Sequence, residues 1–134
     1  MFVFRDISMP THYLERLTLR TDGFISVRAG YKGGELITKP VTFDGQSLVI
    51  NYSTSAVGSV RAELQDTSGN PLAGFSLEEC MPMFGDKVEH TVTWTHAAKE
   101  PAPVAGKLHK SLTGTLGRVR FVMRDADLYS FRFR

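Results

Sequence analysis

FVMRDADLYSFRFR, residues 121–134, is the stretch whose reading decides the fold of this chain. Apolar and charged residues alternate from Phe121 to Arg124, halt at Asp125-Ala126-Asp127, and resume through Tyr129, Phe131 and Phe133. A period of two puts successive side chains on opposite faces of an extended strand, so each half reads as a strand with one apolar and one solvated face. Aspartate favours turns because its carboxylate accepts hydrogen bonds from backbone amides two residues on. The stretch therefore predicts a tight hairpin, its final strand lying beside its predecessor.

The same rhythm recurs upstream. In SLVINYS (47–53) Leu48, Ile50 and Tyr52 share a face against Val49, Asn51 and Ser53. In GSVRAELQD (58–66) Val60, Ala62 and Leu64 oppose Arg61, Glu63 and Gln65. KVEHTVTW (87–94) sets Val88, His90, Val92 and Trp94 on one side, and GRVRFVMR (117–124) does the same with Val119, Phe121 and Met123. One greasy and one wet face per strand is the pattern of antiparallel sheets covered on one side. Turn chemistry separates the runs at Asp22-Gly23, Gly33-Gly34, Asp44-Gly45, DTSGNP (66–71), Gly85-Asp86 and Gly117. No segment holds a helical period for long; LEEC (77–80) suits a single turn, and residues 11–17 fit either type. Eight or nine short strands at this spacing predict an all-β, antiparallel β-sandwich of jelly-roll-like arrangement. The stretch 95–117, rich in prolines, lysines and small residues, reads as a long, mobile surface loop within a single domain spanning 1–134.

Composition narrows the function classes. At 134 residues the chain is long enough to bury a core without staples, and its 42% apolar and 22% charged content is that of an ordinary globular domain. Sixteen Lys and Arg against fourteen Asp and Glu leave a net charge of +2, which gives no electrostatic case for nucleic acid. A lone cysteine, Cys80, forbids an internal disulfide and reads as a buried, inert thiol. No apolar run approaches a membrane span. Arg5 and Asp6 break the only apolar stretch of the start, so it does not read as a signal peptide; a leader for an exported parent would lie upstream.

Four phrases, LTLRTDGFISVRAGYKGGELITKPVTFDG, NYSTSAVGSVRAELQDTSGNPLAGFSLEEC, GDKVEHTVTW and VRFVMRDADLYSFRF, together resemble a C-terminal β-sandwich module of bacterial proteins from planctomycetes and related phyla. Those proteins are described as similar to glycoside hydrolase family 32 or to sialidases, with a propeller-like catalytic part ahead of the sandwich. The resemblance covers about Tyr13 to Phe133 and fits least at 95–117. It implies a sandwich fold and a carbohydrate-related setting, and brings no functional residues with it.

The candidate sites come from the residues. Asp125 and Asp127, two apart, would share a strand face at about 6.5–7 Å between Cα atoms, a spacing open to a structural calcium or a glycosidase carboxylate pair as well as to a turn. Arg118, Arg120, Arg124, Arg132 and Arg134, with Arg61 nearby, suggest a basic stripe able to meet carboxylates or sulfates, or simply a solvated sheet face. Sugar recognition needs a proud aromatic ring beside hydrogen-bonding groups. Tyr31 in AGYKGGE, with Arg28, Lys32 and Glu35, is the foremost candidate; Phe84 follows, and Trp94 is open to a core role. Phe43 and Tyr13 are further loop-placed aromatics. His12, His90, His96 and His109 lack metal spacing, and His90 reads as a core-facing histidine.

These features predict a non-catalytic accessory module, carbohydrate-binding, belonging to a larger secreted carbohydrate-active protein in an extracellular or periplasmic setting. Its partners would be a glycan and a neighbouring catalytic domain, with no nucleic acid, no membrane and no cofactor beyond a structural calcium. The alternative is a structural sandwich that packs on its catalytic neighbour without binding sugar.

Overall fold

A computed structural model describes residues 1–95, 108 and 112–134. These residues form eight strands and no α-helix: β1 (Phe2–Arg5), β2 (Tyr13–Arg16), β3 (Val27–Ala29), β4 (Gly34–Ile37), β5 (Val41–Thr42), β6 (Leu48–Gln65), β7 (Asp86–Thr91) and β8 (Leu116–Phe133). β1 and β2 make a separate hairpin, and the other six form one sheet in the order β3-β8-β6-β7, with β4 and β5 also paired to β8. Every pairing is antiparallel, as the period of two predicts.

The hairpin expected at Asp125-Ala126-Asp127 is absent. β8 runs through it unbroken, laddered to β6 on both sides. Between the pairs Thr54↔Ala126 and Ser59↔Arg124, β6 carries Ser55 to Gly58 where β8 carries Asp125 alone, a bulge in the ladder. Asp125 adopts a left-handed conformation (φ 44°), which aspartate tolerates better than most residues, and its amide donates to the Gly30 carbonyl at 3.0 Å. Gly58 makes the approach possible, because a Cβ there would collide with the Asp125 carbonyl. The bulge shifts the phase of burial: Val119, Phe121 and Met123 face the core before it, Ala126 and Leu128 after it. A second shift leaves Tyr129 unpaired with β6 and returns Phe131 and Phe133 to the core. A turn and a bulge interrupt the same two-residue rhythm, so the sequence pattern suits both.

Eighteen residues laid straight would span about 60 Å. Instead both ends of β8 meet at Phe43: its ring lies 5.2 Å from that of Phe133, and a Cβ on Gly117 would stand 2.5 Å from its Cζ. The β6–β8 ladder is therefore folded, and its two halves share one core. Leu48, Ile50 and Tyr52 enter it from the first half of β6, and Val60, Ala62 and Leu64 from the second. Phe75, Cys80, Met83, Val92 and Trp94 join it from the segment beside β6 and the residues after β7. Phe43, read as a loop-placed aromatic, is fully buried because it closes this fold.

Smaller expectations divide. Val88 is 45% exposed, since a register shift between Ile50 and Tyr52 rotates β7 away from the face that His90 occupies. His90 stands partly buried, its ring edge-on to Tyr52 at 5.7 Å. Ser76 to Cys80 form the single turn expected at LEEC: the Cys80 amide donates to the Ser76 carbonyl at 3.1 Å, and the Glu79 carboxylate accepts from the Ser76 amide and hydroxyl. Residues 13–16 are strand. Of the loop expected over 95–117, residues 96–107 and 109–111 lie outside the described residues, His96 and His109 among them. Leu108 is buried in the core, and β8 already begins at Leu116. Among the described residues no helix is long and apolar enough to cross a membrane.

Candidate functional site

The folded ladder has two outer faces, one on each side of the bulge. In the first half, the outer face of β6 presents Val49 and Asn51, both buried beneath the segment around Arg20 to Asp22. Arg20 fastens this cover. Its guanidinium donates to Asn51 Oδ1 at 2.6 Å and to the Tyr52 carbonyl at 2.9 Å, pairs with Asp86, and lies 4.7 Å from the Tyr129 ring centre. Asn51 returns a bond from Nδ2 to the Thr21 carbonyl at 2.7 Å, and Ser130 donates to Asp22 at 2.7 Å. Every polar group of Asn51 that the sheet buries thus has a partner there.

The second half is open. An open groove of about 570 Å³ lies over it, lined by residues of the β3–β4 turn, β4, β6 and β8, among them Lys32, Glu35, Ser59, Arg61, Arg120 and Arg124. The register explains why these meet. Val122 pairs with Glu35 of β4 on one side and with Arg61 of β6 on the other, so the three share one row and one face. Arg120 and Arg124, two residues either way along β8, flank that row, and Ser59 pairs with Arg124. Gly33, at φ 83°, turns the chain from Tyr31 into β4 beside the Met123 carbonyl.

The acids of this face are spent on a single cation. Arg120 donates to Glu35 Oε2 at 2.8 Å and lies 3.5 Å from Glu63 Oε1. The hydrogen bond that Arg120 donates to Glu35 raises its pKa above the ordinary value against the opposing effect of burial, so the guanidinium stays charged. Glu63 is buried, and its remaining acceptor capacity is met by Gln65 Nε2 at 2.7 Å and the Leu77 amide at 3.0 Å. Among the described residues Arg61 and Lys32 have no carboxylate partner.

The residues singled out in the sequence disperse. Tyr31 is 66% exposed and does not itself line the groove, but it precedes the lining residue Lys32 and touches the lining residue Arg124, whose guanidinium lies 4.4 Å from its ring centre and whose Nε donates to its carbonyl at 3.2 Å. Lys32 and Glu35 line the groove. Arg28 does not; it reaches Asp127 at 3.4 Å. Phe84 is 58% exposed but outside the groove lining, and its carbonyl accepts from the Tyr52 hydroxyl. Trp94 as a sugar platform is overturned: it is 6% exposed, edge-on to Phe75 at 5.2 Å, with Nε1 donating to the Ala62 carbonyl. The arginine stripe is cut in two by the folded ladder. Arg61, Arg120 and Arg124 share the groove, while Arg132 and Arg134 sit at the far end of β8 around Glu89.

Asp127 accepts from Ser26 Oγ at 2.8 Å and pairs with Arg28 at 3.4 Å, and Asp125 holds the bulge. Among the described residues no three acidic, histidine or cysteine side chains converge, so the calcium expected at this pair gains no third ligand of that kind. Cys80 is buried, accepting from the Ala62 amide at 3.2 Å; burial pushes its thiol pKa up, toward the unreactive form. Three contributors went unread in the sequence: Ser59, Val122 and the buried acid Glu63. Alternation assigns all three to the wet face and stops there. Glu63 is buried by Gln65 and by Leu77, fourteen residues away, and no local pattern announces that pairing.

Comparison of the chain with protein-family models, with curated proteins and with solved structures returns no match.

Proposed function

We propose that this chain is a non-catalytic, carbohydrate-binding β module that takes a glycan along the open groove beside Tyr31. The observation that carries the reading is the exposed Tyr31 ring, braced by Arg124 next to a groove lined with hydrogen-bonding side chains. A flat aromatic face stacks on the C–H side of a pyranose, while guanidinium, ammonium and hydroxyl groups read the ring's oxygens. Bracing lowers the ordering cost of the platform, which favours weak, reversible binding at an open edge. The resemblance to sandwich modules of sialidase-like proteins supports the same setting: an accessory part of a larger secreted carbohydrate-active protein, outside the cytoplasm and beside a catalytic neighbour. A catalytic role finds little support in the groove, where Glu35 and Glu63 are both held by Arg120 and, among the described residues, no further acid lines it.

The test is a glycan array, or an affinity-gel screen, of this chain against neutral and acidic polysaccharides. Retention that Tyr31→Ala weakens about tenfold or more, with an unchanged melting temperature, is the expected result. Uniform failure to bind any glycan would remove the reading.

A second reading rests on the N-terminal hairpin. Phe2, Phe4 and Leu14 are exposed on one face of the β1–β2 hairpin, and neither strand contacts any of the other six. Such a patch suits packing on a neighbouring domain without sugar, and the two readings separate in the same screen.

A further inference from the structure

The groove's charge is unbalanced in a way that goes beyond generic sugar binding. Four cations line it, Lys32, Arg61, Arg120 and Arg124, against one lining carboxylate, Glu35, with Glu63 buried behind. Arg120 absorbs both acids. Arg124 is committed to neutral partners, the carbonyl and ring of Tyr31, and keeps its full positive charge toward solvent. Arg61 and Lys32 have no ion-pair partner among the described residues. Elsewhere the other arginines that pair do so with acids: Arg5 with Glu15, Arg20 with Asp86, Arg28 with Asp127, and Arg132 and Arg134 with Glu89. Arg16 and Arg118 also lack an ion pair among the described residues, and Arg118 Nε is buried without a hydrogen-bond partner, but the groove gathers three uncompensated cations, Lys32, Arg61 and Arg124.

The arrangement of those charges has a shape. Val122 is the apolar centre of the row, with Arg61 directly across the ladder; Arg120 and Arg124, two residues either way along β8, are the diagonal neighbours of Arg61. Cross-strand diagonals lie about 7–8 Å apart, within reach of long side chains converging over one residue. Arg61 on the β6 side of β8 and Lys32 at the β3–β4 turn both line the groove, so a ligand lying along it meets both cations. Guanidinium forks match the two oxygens of a carboxylate or sulfate, and such charge-assisted bonds are about twice as strong as those to a hydroxyl.

Resting on the reading that the groove takes a glycan, we propose that its ligand is an acidic one, a polysaccharide bearing carboxylate or sulfate groups, held through Arg61 and Lys32 with Tyr31 as the stacking platform. Carboxylate and sulfate share this chemistry, and the arms of the experiment distinguish them.

The experiment measures retention of the full chain, and of Arg61→Gln, Arg61→Lys, Lys32→Gln and Tyr31→Ala, on four matrices. These are a polyuronate, a sulfated glucan, the unsulfated glucan and polyphosphate, each at low and at 0.15 M salt. The expected result is retention on the polyuronate or the sulfated glucan that persists at 0.15 M salt. Arg61→Gln and Lys32→Gln each weaken it about tenfold, Arg61→Lys recovers part of the loss, and the unsulfated glucan binds at least tenfold more weakly. The stronger acidic arm names the group. Equal retention of the neutral glucan, lost in Tyr31→Ala but not in Arg61→Gln, overturns the acidic ligand and leaves the glycan reading standing. Polyphosphate binding as tightly as either acidic glycan, and all of it vanishing at 0.15 M salt, overturns the proposal as unspecific charge attraction. No retention on any matrix removes both. Melting curves of the variants show each is folded when tested.

Discussion

The two outer faces of the β6–β8 ladder are built from the same two strands and have opposite fates. Before Gly58 the face carries Val49 and Asn51, and a segment of chain lies over it, fastened by Arg20 to Asn51, Tyr52 and Asp86. Past Gly58 it carries Arg61, Glu63, Arg120 and Arg124; Glu63 is buried with its carboxylate bound by Gln65 and the Leu77 amide, while the groove over the three arginines is open. The roofed half buries its polar groups and satisfies them. The open half spends its acids on Arg120 and leaves cations over. The difference lies in the direction of the uncovered charge, which is what a binding face needs and a packing face avoids.

The largest effect is expected where the two faces divide. Gly58→Val places side-chain atoms onto the Asp125 and Arg124 carbonyls and should cost about 3 kcal/mol of stability, read by urea unfolding. Stability equal to the parent's would mean that the close approach at the bulge is dispensable. Next, Arg20→Ala strips a buried acceptor, Asn51 Oδ1, of its donor and unfastens the cover; a loss of about 2 kcal/mol is expected, with faster hydrogen exchange in residues 18–26. On the open face the corresponding change is nearly silent. Arg61→Gln should shift stability by no more than about 0.5 kcal/mol while it weakens retention of an acidic glycan, because Arg61 makes no ion pair among the described residues.

The smallest effect concerns pH. Burial, and then the nearby Lys87, lower the His90 pKa, so the folded chain favours neutral imidazole. The unfolded chain keeps an ordinary value of about 6.5, and protonation therefore favours unfolding. Stability is fully held above that pH and declines as pH falls below it toward the folded-state value. His90→Gln should flatten that decline below about pH 6.5 in a melting-temperature series, and an unaltered slope would assign it to other groups.

Much of the fold was legible in single residues. Leu48, Ile50, Tyr52, Val60, Ala62, Leu64, Val119, Phe121 and Met123 all face the core as alternation requires. Two-residue periodicity reports which side of a strand is buried, and that information is local. It does not report whether an interruption is a turn or a bulge, so Asp125 read as the bend of a hairpin while it sits inside an unbroken strand. Nor does it report what roofs an outer face, so neither the Arg20 fastening nor the burial of Glu63 could be read. The site was half visible. Tyr31, Lys32 and Glu35 stood out by composition, and Arg61, Arg120 and Arg124 by their charge. Their meeting in one groove depends on the pairing of β8 with β4 and β6, which places residues 35, 61 and 122 in one row.

Amide chemical-shift mapping during titration with a short acidic oligosaccharide tests the division of the two faces most directly. Perturbations confined to residues 31–35, 59–61 and 120–124, with the amides of 20–22 and 49–51 unmoved, are the predicted result. Shifts centred on the roofed face or on the β1–β2 hairpin, or a titration that moves no amide at all, would contradict it.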